Sequence, residues 1–187
     1  MLSAAPAVVT PSRPVRLYES WWTVAAAALG ALLALTLGLW MSLHVRTDAT
    51  LHTAALFVHL ASLVLGFGAV LSADYHGLLW AVGRCTLPEV LAATSRLHVP
   101  IWAGLGGLVA SGLMLHPDLG SPLTLTKLAL VSVLTVNGLQ AGLLGHRLTT
   151  AAEVGRRLLI WGGATALLSQ VCWWGAVAIG FLNTNGS

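Results

Sequence analysis

Five apolar runs, each bounded by charged or turn-forming residues, set the pattern of this chain: Trp21 to Leu43, Leu51 to Val82, His98 to Leu115, Pro122 to Leu144 and Leu158 to Leu182. A helix needs about 20 predominantly apolar residues to cross a hydrocarbon core about 30 Å thick. The pattern therefore predicts an all-α integral membrane protein, a bundle of five transmembrane helices spanning 19–182. Between the runs, Gly83 to Arg96 carries Arg84, Pro88, Glu89 and Arg96 and reads as a polar loop. His116-Pro117-Asp118 closes the third run. Ser121-Pro122 opens the fourth, with proline at a helix start, where its missing N–H costs least. Residues 1–18, with Pro6, Pro11 and Pro14 among Arg13 and Arg16, predict an irregular tail, and 183–187 a short polar one. The first run is longer than the apolar region of a secretory signal and lacks a small-residue cleavage site after it, so it is expected to stay as a span.

Composition agrees with this pattern. Of 187 residues, 57% are hydrophobic and 8% charged, about a third of the charge of an ordinary soluble domain. No stretch is left for a separate soluble domain. The net charge of +3 comes without a basic run, which argues against nucleic acid as a partner. Cytoplasmic loops hold the excess of Lys and Arg. Arg13, Arg16, Arg84, Arg96, Arg147, Arg156 and Arg157 fall on one side, and only Arg46 and Lys127 on the other. The expected topology thus has a cytoplasmic N-terminus and an outer C-terminus, multi-pass in the cell inner (plasma) membrane. Cys85 and Cys172 lie too far apart along the pattern for a disulfide to be expected.

The polar groups inside the spans carry the candidate chemistry. His59 lies eight residues into the second run, about 12 Å deep, whereas Asp74 is expected at the opposite interface. Ionisable groups at membrane depth are costly and face a bundle interior, a cavity or a cofactor. The seven histidines divide into an outer set, His44, His52, His59 and His116, and an inner set, His76, His98 and His146. That division suits haem b, whose iron takes imidazole from facing helices. His59 is the first ligand candidate, followed by His52, His116 and His98, although each is also readable as an interfacial or helix-joining residue. Copper is the alternative metal, since imidazole suits it too, but Met41 and Met114 are isolated. Lys127, five residues into the fourth run, either snorkels to the outer interface or meets an anionic group such as a haem propionate. Asn137, Gln140 and Gln170 are amides inside apolar runs that join helices or line a path. Gly107 and Ser111, Ala103 and Gly107, Gly106 and Ala110, and Gly138 and Gly142 are four apart, the spacing of close helix contacts. Nucleotide-binding, metalloprotease and serine-hydrolase motifs are absent from the sequence.

His59-Leu-Ala-Ser-Leu-Val-Leu-Gly-Phe-Gly, Asp74-Tyr-His76, Leu125-Thr-Lys127-Leu-Ala-Leu-Val and Asn137-Gly138 together resemble the small polytopic membrane proteins of the CopD and HemJ-like kind. The resemblance covers about Thr53 to Gly138. It implies a histidine early in one span and a lysine early in a later one as core residues, here His59 and Lys127. Those families are associated with copper handling and with a haem-containing protoporphyrinogen oxidase. The span before His59 and the acidic Asp74 depart from the pattern. Three functions are expected to compete: a small membrane b-type haem protein in electron transfer or haem-linked oxidation, which would make it an oxidoreductase with a membrane redox partner; a copper or small-solute permease-like protein with a cavity lined by His59, Asn137, Gln140 and Gln170; and a structural accessory subunit of a larger membrane complex.

Overall fold

The structure, a computed structural model, describes residues 20–44, 48–151 and 153–185, with side chains described as far as Leu182. The proline-containing tail over 1–18, with Arg13 and Arg16, and Arg46, expected on the outer side, lie outside the described residues. Five helices follow in order: α1 (Trp21–Ser42), α2 (Ala49–Ala81), α3 (Leu87–Met114), α4 (Pro122–Thr150) and α5 (Arg156–Asn185). All five are long and apolar enough to cross a membrane.

Their ends are written in local chemistry. Ser20 Oγ accepts from the Trp22 N–H at 3.3 Å to start α1, and Asp48 Oδ1 accepts from the Leu51 N–H at 2.7 Å to start α2. Helix α2 ends at Gly83, which takes φ +73°. There the Arg84 N–H donates to Leu79 O at 2.8 Å and the Gly83 N–H to Trp80 O at 2.9 Å, the paired bonds of a Schellman ending.

The expected polar loop over 83–96 is mostly helix. At Leu87, α3 begins eleven residues before His98, because Thr86 and Glu89 form a capping box and Pro88 sits in the first turn. The Thr86 N–H and hydroxyl both donate to Glu89 Oε2, at 2.7 and 2.8 Å. Charged residues limit how far a span is apolar, and they do not stop a helix from extending beyond it. For the same reason α4 continues past Leu144 through His146 and Arg147 to Thr150, and α5 continues through 183–185.

Helix α2 packs most closely on α3, and α4 on α5, while α1 lies against α4 and α3. The α2–α3 seam is closed by small residues. A Cβ at Gly104 would collide with the backbone of Gly66, and one at Gly107 with Ser62. Gly107 and Ser111 therefore serve the seam, whereas Ala103, Gly106 and Ala110 are exposed. The centre of the bundle gathers Val70, Leu105, Leu134, Cys172 and Trp173 from four helices. The outward faces carry Phe57, Val64, Leu167 and Phe181, the apolar surface that contact with lipid requires.

Candidate functional site

On α2, His59, Ser62 and Gly66 are spaced three and four apart and share one face, and that face meets α3. The His59 ring lies against Gly112, where an added Cβ would come within 3.5 Å of Cε1. Its Nδ1 is 3.0 Å from Ser111 Oγ, and the Ser111 hydroxyl donates to Gly107 O at 2.5 Å. A hydroxyl has one proton to give. Since that proton goes to Gly107 O, Ser111 Oγ must accept from His59, which assigns the Nδ1–H tautomer from the hydrogen-bond network. The Leu108 carbonyl also lies beside the ring, so α3 offers it acceptors only. Nε2 is left with its lone pair. Lys127, half-buried early in α4, lies near enough for its charge to act on the ring. Three helices thus contribute His59, Ser111 and Lys127 to one region.

The other histidines are placed elsewhere. His52 is exposed in the first turn of α2, seven residues and about 10 Å from His59. His116 is exposed just past the end of α3, with a left-handed φ of 52°. His98 lies thirteen residues before Ser111 on α3, about 20 Å along the helix. Its Nε2 accepts from Trp102 Nε1 at 3.0 Å, and its ring lies near Gly142. His76 Nδ1 is bonded to Ser72 O at 2.7 Å, and His44 Nδ1 to Trp40 O at 2.8 Å. Among the described residues, no three His, Cys, Asp or Glu side chains come together as a metal cage. Cys85 and Cys172 are both free.

Two further polar contacts cross between helices. Asn137, 3% exposed, donates through Nδ2 to Thr165 O at 3.0 Å, and Gln140 Nε2 donates to Asn137 Oδ1 at 2.9 Å. Both amides line a groove of about 360 Å³ with Leu32, Ser132, Val133, Val136 and Leu168. The cavity expected from the sequence also included His59 and Gln170, and neither lines this groove. Gln170 Nε2 instead donates to Asp74 Oδ2. Gln170 is fourteen residues into α5, about 21 Å from its charged start, so Asp74, expected at the opposite interface, has its partner near the middle of a helix. The half-buried carboxyl reaches into the bundle, because it leans back along α2 while the long Gln170 side chain leans back along α5.

Sequence reasoning singled out His59 and Lys127 but treated Ser111 only as a small packing residue, and it missed the Asp74–Gln170 partnership. A glutamine inside an apolar run signals that a partner exists, but only the packing of α2 against α5 says which. Trp173 walls the same contact. It is 2% exposed and stacks on Phe67 at 5.7 Å, and its Nε1 has no hydrogen-bond partner. Compared with family models, curated proteins and solved structures, the chain matches none of them.

Proposed function

We propose that the protein is a small membrane b-type haem protein acting in electron transfer or haem-linked oxidation, with His59 as the axial ligand. The observation that carries this reading is the 3.0 Å contact of His59 Nδ1 with Ser111 Oγ within an apolar helix, which in the Nδ1–H tautomer leaves the Nε2 lone pair for a metal. A hydrogen bond from the other ring nitrogen is how a ligating imidazole is held. The absence of a three-residue cage among the described residues favours haem over copper. A porphyrin brings four equatorial nitrogens and asks the protein for one or two axial groups, whereas a bare ion needs its whole shell from side chains. Lys127 would pair with a haem propionate or serve as a further ligand. Haem would supply one-electron chemistry; the residues of this chain orient the ligand and exclude water. In this reading His52, His116 and His98 are outside the first ligand position and remain candidates only for a second group. The bias of Lys and Arg supports a cytoplasmic N-terminus in the cell inner membrane, which puts His59 in the outer half and leaves a membrane redox partner to approach from lipid or the outer face. The resemblance to the CopD and HemJ-like proteins rests on the same two residues, His59 and Lys127.

A second reading has its own support. His59–Ser111, Asn137–Thr165 and Asp74–Gln170 each join two helices, as a structural accessory subunit would need. A reduced-minus-oxidised absorption spectrum of the detergent-purified protein separates the two. Soret and α bands that are lost or shifted in His59→Ala are expected. A flat spectrum from protein produced with ample haem overturns the haem reading and favours the structural one.

A further inference from the structure

Asp74 is the acidic group in the interior that the haem reading leaves without a task. It sits on α2 two turns before Ala81 and bonds across to Gln170 of α5. An ionised carboxylate offers about four lone-pair sites, and here one neutral amide answers them. Among the described residues, Gln170 is the side chain that hydrogen-bonds it. The surroundings bear this out element by element. On α2, Tyr75 is exposed and the His76 ring is committed to Ser72 O. Gly66 faces Gly104 and His59 faces Ser111, so continuing that antiparallel register sets Arg96 of α3 opposite Asp74. Arg96 is exposed, and His98 two residues further is bonded to Trp102. On α5, the nearest charges are Arg156 and Arg157, about 20 Å along the helix. Isolated buried charges of this kind are usually neutralised by a proton.

We propose that Asp74 is a proton-binding site within the membrane, positioned by Gln170 across the α2–α5 contact. The chemistry of the pair explains why a glutamine stands there. A carboxylic acid and a primary amide are reciprocal: the amide N–H donates to one carboxyl oxygen, while the acid O–H donates to the amide oxygen. Loss of the proton removes the second bond and turns the amide oxygen toward a carboxylate. The site is independent of the haem reading and is tested on protein with or without haem.

Dicyclohexylcarbodiimide is the probe. It reacts with a protonated carboxyl in apolar surroundings: the acid proton moves to a carbodiimide nitrogen, the carboxyl oxygen bonds to the central carbon, and the adduct rearranges to an acylurea with no other reactant. The full-length protein in detergent or native membranes is labelled across a pH series and mapped by peptide mass spectrometry. Labelling is expected at Asp74 at neutral pH, with the rate falling about tenfold per pH unit once the site titrates. Asp74→Asn abolishes it, and the water-exposed Glu89 stays unlabelled. Gln170→Leu frees the acid O–H and raises the rate severalfold. The proposal is overturned if folded wild-type protein is unlabelled at Asp74 at every pH, or if Gln170→Leu leaves the rate unchanged. It is equally overturned if labelling appears only in Arg96→Gln, which would reveal an ion pair instead.

Discussion

Helix α2 meets α3 on one side and α5 on the other, and the two seams are closed by opposite means. Against α3 it presents His59, Ser62 and Gly66, and backbone approaches backbone where Gly104 stands over Gly66. Against α5 it presents Phe67 and Gly66 to Trp173, with Phe67 also edge-on to Trp174 at 4.9 Å. In lipid the hydrophobic effect does little to press helices together, so association comes from close packing and polar links. One seam obtains its contact by removing side chains, the other by filling space with rings. Each also contains a single ionisable side chain of α2 held by a neutral partner, His59 by Ser111 and Asp74 by Gln170. The difference is that the first link orients a ring on a rigid backbone contact, while the second bridges two helices that side chains alone keep together.

The sharpest way to break this contrast is to empty the ring-filled seam. Trp173→Ala is expected to destabilise by about 3–5 kcal/mol, read as the shift of a denaturant or thermal midpoint in detergent. A loss under about 1 kcal/mol would mean that the α2–α5 contact contributes little. Crowding the glycine seam comes next. Gly104→Ala should cost about 1–3 kcal/mol, because the atoms it meets are the Gly66 backbone, which cannot rotate away. Gly106→Ala on the same helix, where an added Cβ meets nothing within 4 Å, should cost nothing and gain helix propensity. Equal effects at 104 and 106 would refute the close approach of α2 and α3. Ser111→Ala removes one of the two acceptors beside the His59 ring and is expected to cost about 1 kcal/mol, whereas Ser111→Thr keeps an acceptor and should lose less, so the pair of unfolding curves checks the hydrogen bond. The smallest effect belongs to Asn137→Leu, about 0.6 kcal/mol, the usual worth of a polar link between membrane helices. A double-mutant cycle with Gln140→Leu would show whether the two amides act together.

Much of the fold was legible because the bilayer is a severe filter. Five apolar runs can satisfy their backbone groups in lipid only as helices, and five helices are what form. Where the reading failed, polarity was mistaken for irregularity. Residues 87–96 are charged and still helical, since Thr86 and Glu89 cap the helix from its own sequence. His59 stood out as an imidazole deep in an apolar run. Asp74 did not, because depth was counted along a straight helix, whereas side-chain lean and helix crossing carry its carboxyl to Gln170. Gly104 could not be ranked above Gly106 without the register of α2, since both are small residues in the same run.

By itself, then, the sequence determined the number of apolar helices and the identity of the groups too polar to face lipid, because those follow from the cost of moving each residue into hydrocarbon. Only the tertiary structure decided which of those groups meet: His59 with Ser111, Asp74 with Gln170, Asn137 with Thr165. The physical reason is that these spans are apolar around most of their circumference. Hydrophobic periodicity therefore does not choose a face, and the choice is left to the places where glycine lets two backbones touch.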